Sequence, residues 1–239
     1  SPYDTYYRKH ADAFSQHSGI SVEFQSIPHD NIRQQFVQDA LAGGGSFDVY
    51  IADQVWLPEF YQKGFIKDLS GAISDDDRSD FSRTAIQTVS YGGAIVALPI
   101  MVHNCAMYYR TDLFEKAGLS GPPQSWDEYR AFARKTTDLA SGIYGTMVCS
   151  KQGIEAATRL HSFYQQAGGD LLDSSGTPTI NSDAGRAALE FMVTLVSDGS
   201  APEGVLELPD MQGRWLEGKL AMAPVWPYLY GLSKKPLGP

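Results

Sequence analysis

Short apolar runs alternate with helical periods along most of this chain, and glycines stand at the joins. Tyr3, Tyr7, Ala11 and Phe14 recur at helical spacing, with Gly19 where a helix cap belongs. Ile20, Val22 and Phe24 then alternate as a strand. Ile32, Phe36, Ala40 and Leu41 give a second helical stripe, stopped by Gly43-Gly44-Gly45. Phe47 to Ala52 reads as a short apolar strand, and a helix from Leu57 to Lys63 ends at Gly64. Strand and helix in alternation restrict the chain to an α/β layer with largely parallel strands. The chain opens on a helix where a doubly wound domain places a strand, so one more strand is expected ahead of it.

The pattern continues downstream. An acidic stretch, Asp75-Asp76-Asp77, precedes an amphipathic helix near Phe81 to Val89. Ala94 to Pro99 and Met101 to Tyr109 read as strands. Ser125 with Glu128 three residues on forms a capping box that opens a helix from Trp126 to Leu139. Tyr144 to Cys149 is strand-like, and helices are expected over 153–167 and 183–197. A last helix near Met211 to Glu217 leads into a strand from Leu220 to Val225. Lys234 to Pro239 carries no core pattern. No repeat or low-complexity tract interrupts this order.

Charge and cysteine content narrow the function classes. The net charge is -9, and the densest basic clusters are Arg8-Lys9 and Lys234-Lys235, so no basic face is available to a nucleic acid. The most apolar segment, Gly92 to Tyr109, is cut by Pro99, His103 and Asn104. It falls short of the roughly 20 residues a membrane-spanning helix needs. Ser1-Pro2-Tyr3 leads straight into the first helical pattern, so an exported protein would here be a mature or trimmed chain. Cys105 and Cys149 each lie in a β-like run, without a second Cys or His at zinc-ligand spacing. Either a disulfide between them or two buried free thiols fits that placement.

Catalytic signatures are missing. No Gly-x-Ser-x-Gly elbow and no His-Glu-x-x-His helix occurs. Gly43-Gly44-Gly45 lacks the Lys-Ser/Thr of a phosphate loop and reads as a helix stop. A calcium loop starting at Asp75 would put Asp80 in place of the turn glycine and Ile86 in place of the bidentate acid. The three acids read instead as a solvated helix cap. The five histidines are scattered, four of them among polar neighbours. No catalytic residue, metal or cofactor is expected, although two facing carboxylates of a carbohydrate-active enzyme would leave no local motif.

Three segments together resemble the family 1 extracellular solute-binding proteins of bacterial ABC importers, the group that includes maltose-binding protein. The first runs Phe47-Asp48-Val49-Tyr50-Ile51-Ala52-Asp53-Gln54-Val55-Trp56 and continues through Phe60 to Leu69. The second is Ala97-Leu98-Pro99, then His103-Asn104, then Tyr108 to Leu119, with Pro122-Pro123 and Ser125-Trp126-Asp127-Glu128. The third is Gly218-Lys219-Leu220-Ala221-Met222 followed by Trp226. The resemblance implies a two-lobed periplasmic-binding-protein-like (type II) α/β fold with solute held in the cleft between the lobes. It implies lobe one over 1–100, lobe two over 101–230, a hinge crossover near 99–104, and an irregular tail or return crossover over 231–239. Family members are usually longer, so the first strand and the return crossover with its C-terminal helices are expected to be missing at the two ends. A monomer in the periplasm or on the extracytoplasmic face of a bacterial cell, with a membrane permease as partner, is also implied.

Sugar recognition needs flat apolar faces for ring C–H groups and polar groups for hydroxyls. Open α/β sheets offer these at the carboxyl ends of strands. Asp53, Gln54 and Trp56 fall where one strand meets its loop; the alternative makes Asp53 a helix cap and Trp56 a core anchor. His103 and Asn104 match the crossover strand, where a mid-strand polar pair is otherwise costly to bury; the alternative is a hydrogen bond within the hinge. Trp226 and Tyr228 follow a strand end where the resemblance puts a stacking aromatic, against core packing beside Pro224 and Pro227. Lys151 and Gln152 follow the strand at Met147 to Cys149. Trp126, Trp215, Tyr108 and Tyr109 read as packing residues. The expectation is reversible capture of a sugar without chemistry. A polyol, glycerol phosphate, a polyamine or an anion is the rival solute, and a carbohydrate-active enzyme the rival class.

Overall fold

A computed structural model describes residues 4–234, and the chain divides into two units, Ser1–Val102 and His103–Pro239. Tyr3 and residues 235–239, which the sequence reading used, lie outside the described residues.

The first unit is built mainly of helices: α1 (Asp4–Ser18), α2 (His29–Leu41), α3 (Leu57–Gln62), α4 (Asp75–Ser79) and α5 (Arg83–Thr88). Glycine stops act as expected, with Gly19 at φ 72° and its amide bonded to Ser15 O at 3.0 Å. The acidic run forms the first turn of α4, where Ser74 Oγ accepts from Asp77 N, so it does cap a helix. The two early strands are the main departure. Residues 20–24 and 47–52 form no ladder among the described residues, and Val49 is 85% exposed. Alternation sets which side chains share a face, but a strand also needs a neighbour for its amides.

Strand structure in this unit is confined to a hairpin, β1 (Ser90–Tyr91) against β2 (Ala94–Ile95), antiparallel. Gly92 and Gly93 both have positive φ, 59° and 87°, as a tight two-residue turn matched to strand twist demands. The expected strand to Pro99 thus ends at Ile95. Leu57, Val89, Ala94, Ile95 and Val96 make one core, and Phe36 stacks on the fully buried Phe60 at 4.2 Å beside Tyr50 and Phe65.

The second unit holds β3 (Ala106–Tyr109), α6 (Thr111–Lys116), α7 (Trp126–Thr136), α8 (Ile154–Gln166), α9 (Asp183–Ser197), α10 (Leu208–Leu216), β4 (Met222–Val225) and α11 (Tyr228–Ser233). Of the segment expected as an irregular tail or return crossover from residue 231, residues 231–233 are the end of α11. β3 and β4 pair antiparallel, Ala106 opposite Val225 and Tyr109 opposite Met222. Residues 144–145 run beside this pair through Tyr144 N to Lys219 O and Met222 N to Gly145 O, with one parallel bridge at Tyr144 and Leu220. Largely parallel strands were expected; the two named pairs are antiparallel.

Period-two alternation sorts this layer's side chains onto two faces. Met107, Tyr109, Val148 and Met222 pack with Phe114, Tyr129, Ala133, Met192 and Leu195 under α7 and α9. Tyr108, Met147, Cys149, Ala223 and Val225 pack with Met211, Leu220 and Leu229 under α10 and α11. Tyr108 and Tyr109 are thus packing residues on opposite faces. Trp126 stacks on Phe191 at 4.7 Å, and Trp215 packs in the second cluster and donates to Ser233 Oγ at 2.9 Å. At the start of α7 only half of the capping box forms. Ser125 Oγ accepts from Glu128 N at 3.2 Å, while Glu128 Oε2 accepts from Gln124 N rather than Ser125 N. The helix ends at Thr136, since Thr137 turns to extended backbone before the expected end at Leu139.

Candidate functional site

In the first unit, the loop after Ala52 turns into a single 3-10 turn, Gln54–Trp56, which feeds α3. Asp53 holds the N-cap position of that turn but makes no side-chain cap bond. Its carboxylate instead meets His29 Nε2 at 2.9 Å. The His29 ring lies 6.1 Å from the Trp56 indole, which is itself 6.3 Å from Phe60. Trp56 is half-buried: one side of the residue joins the aromatic core and the rest stays accessible. Gln54 is exposed. The structure therefore joins Asp53 and Trp56 through His29, a residue the sequence reading left among the scattered histidines. It lies 24 positions upstream of Asp53, and no local spacing signals the pair.

In the second unit, β4 delivers Trp226 and Pro227 into α11, whose first residue is the half-buried Tyr228. Tyr108 Oη donates to Pro227 O at 3.3 Å, tying this turn to β3. Beneath Trp226 lies Arg159 of α8, its guanidinium carbon 4.9 Å from the indole centroid. Arg159 Nη1 donates to Cys105 Sγ at 3.3 Å. Arg159 is only 4% exposed, and its Nε and Nη2 have no hydrogen-bond partner. Sequence reasoning missed it because a helical arginine ordinarily sits at the surface with its head group in water.

His103 and Asn104 are both exposed and precede β3 rather than lying within a strand. That corrects the expectation of a strand from Met101 and removes the argument from burial cost. Lys151 Nζ pairs with Glu207 at 2.7 Å, and Gln152 is exposed. Ser150 locks the same loop, donating to Gly204 O and accepting from Leu206 N. The cysteines are free, Cys105 exposed and Cys149 buried, with no disulfide between them. Burial pushes the Cys149 thiol up to about 11, and it pushes the Tyr129 hydroxyl up to about 12. Neither titrates near neutrality. Among the described residues no three His, Cys, Asp or Glu side chains converge as metal ligands, and no helix is long and apolar enough to cross a membrane.

The profile of the bacterial extracellular solute-binding proteins matches residues 1–236. A Brucella abortus (strain 2308) protein named as a binding protein is 30% identical over 251 residues, spanning 98% of this chain and 60% of its own length. The crystal structure of an ABC transporter solute-binding protein from Thermotoga lettingae, bound with α-D-tagatose, superposes with a TM-score of 0.89 at 27% identity. It covers 97% of this chain and 60% of the other. The structure of a T. maritima protein with maltose bound gives 0.88 at 30% identity, covering 98% and 60%. The chain thus spans about 60% of the length of these relatives, and it has the fold of the type II periplasmic binding proteins.

Proposed function

From the premise that the chain belongs to the bacterial extracellular solute-binding protein family, we propose that it serves in reversible capture of a small polyhydroxylated solute, a sugar before a polyol. The likeness that carries this reading is to two solved relatives above 25% identity whose bound molecules are tagatose and maltose. The residues fit such a ligand. Trp56 and Trp226 are half-buried indoles, each at the end of a loop or strand; Asp53 and His29 lie beside Trp56, and Gln54, His103 and Asn104 are exposed polar residues. Indole faces take the C–H side of a sugar ring, and the polar groups take its hydroxyls. Tyr228, Lys151 and Gln152 are the secondary candidates, with Lys151 engaged by Glu207.

The same membership supports delivery to an ABC permease on the extracytoplasmic side of the membrane. Turnover is no part of this reading. Of the ten candidate residues only Asp53 carries a carboxyl group, and it is bonded to His29, whereas glycoside hydrolysis ordinarily uses two carboxyl groups.

A thermal-shift series with mono- and oligosaccharides, polyols and small anions tests the solute class, since ligand stabilises the folded state by mass action. A sugar at about 100 times its Kd should add about 2.7 kcal/mol of stability. No shift with any sugar or polyol, together with a shift from an amino acid or phosphate, refutes the class. Trp56→Ala and Trp226→Ala should each weaken binding of the responding sugar by about tenfold or more. Unchanged affinity removes that residue from the site.

A further inference from the structure

Among the described residues Arg159 is the one buried charged side chain. A guanidinium does not lose its proton in a protein, so the charge is permanent. Three other cations of the second unit lie beside acids: Arg130 on Asp198 at 2.7 Å, Lys151 on Glu207 at 2.7 Å and Arg110 on Asp112 at 2.5 Å. Such pairs largely cancel at a distance. Arg159 forms no ion pair with a described carboxylate; its neighbours include the Cys105 and Cys149 sulfurs and the Trp226 ring. Glu155 and Asp210 push the Cys149 thiol up while Arg159 pulls it down, and neither acid forms an ion pair with the guanidinium. The cavity that Arg159 lines with Tyr129, Phe163 and Pro224 measures about 10 Å³, roughly one water. No solute group reaches the guanidinium through it.

An unbalanced positive charge therefore stands directly behind one face of an indole that the proposed function uses for stacking. We infer that Arg159 is a charge filter for solute selection: through Trp226 it disfavours cationic solutes and favours neutral or anionic ones. The inference rests on Trp226 contacting the solute. An ammonium group on the far face would lie about 8 Å from the guanidinium carbon. At an effective dielectric of about 20 that separation of like charges costs roughly thirtyfold in affinity. Glu155 and Asp210 offset part of it, leaving about tenfold. The ring itself contributes in the same direction, because one cation already occupies its quadrupole.

The test uses three series of one neutral sugar with its amino and acid forms: glucose, glucosamine and glucuronate, and the mannose and galactose equivalents. Titration calorimetry at about pH 6 keeps the amine protonated. In the wild-type chain the amino sugar should bind about tenfold more weakly than its neutral parent. Arg159→Met should reduce that ratio to near one, while Arg159→Lys, which keeps the charge, should preserve it. A merely structural Arg159 would lower the affinity for all three forms alike and leave the ratio unchanged, which overturns the inference. Equal or tighter binding of the amino sugar by the wild-type chain overturns it without any variant. Binding of no neutral sugar or polyol would instead refute the proposed solute class, and the filter with it.

Discussion

Gly145 packs directly against the backbone of α7, and one added methyl group there probes that contact. A Cβ at Gly145 would stand 1.9 Å from Ala133 O, 2.4 Å from Ala133 C and 2.5 Å from Ala133 Cα. All three are backbone atoms of α7, so no rotamer change relieves the clash. Ordinary contact requires the loop and the helix to separate by about 1.5 Å. Ala133 is fully buried in the cluster under α7, and Gly145 O accepts from Met222 N at 2.9 Å, so either partner drags its neighbours. Overpacking of this kind costs about 2–3 kcal/mol. At about 3 °C per kcal/mol for a unit of this size, Gly145→Ala should lower Tm by about 6–9 °C. Gly213, inside α10, is the control, since an added Cβ meets nothing within 4 Å and its φ is not positive. Gly213→Ala should raise stability by up to about 1 kcal/mol. Circular dichroism melts and urea titrations of both variants read the two signs. A Gly145→Ala protein melting within 1 °C of wild type would refute the close approach of the 145 loop to α7.

Tyr129 Oη and Thr146 Oγ1 share a buried hydrogen bond at 2.6 Å, so Tyr129→Phe leaves a fully buried hydroxyl unpaired. It should cost about 1–3 kcal/mol, measured by urea titration. Burial pushes the Asp198 carboxyl up, but hydrogen bonds from Arg130 and Ser200 outweigh that and hold it below the usual carboxylate range. A carboxyl lowered in the folded state contributes stability above its unfolded value, near 3.9, and loses it as pH falls through the folded value. Asp198→Asn should therefore cost about 1 kcal/mol at neutral pH, and the gap to wild type should close in melts taken down through pH 4 and below. Maleimide should add one label to the native protein, at the exposed Cys105, and two after denaturation, as read by intact mass.

Helices and their stops were legible because their signals are local. The apolar faces of α8 and α9 and the glycine ends at Gly19 and Gly199 depend on residues within two turns of one another. Strand pairing was not. Ile20 to Phe24 and Phe47 to Ala52 alternate or run apolar as strands do, yet pairing is a property of a neighbour that their own residues do not encode. The hairpin around Gly92-Gly93 carried its signal in plain view and was absorbed into a single longer strand. At the site, Asp53, Trp56 and Trp226 were identifiable from motif positions in the resemblance. Their companions were not, since His29 pairs across 24 positions and Arg159 stacks across 67. A buried unpaired arginine also runs against composition rules, and only burial and contact geometry expose it.

The pairing of β3 with β4 sets the order of events when the chain is made. Ala106 meets Val225 only after 119 further residues have been synthesised. At about 10 residues per second, β3 waits roughly ten seconds with its edge bare. The ladder cannot form before Val225 emerges, so the core of the second unit closes only after that point. A pairing this far apart in sequence is a slow contact to close, and β3 stays available to other partners until β4 appears.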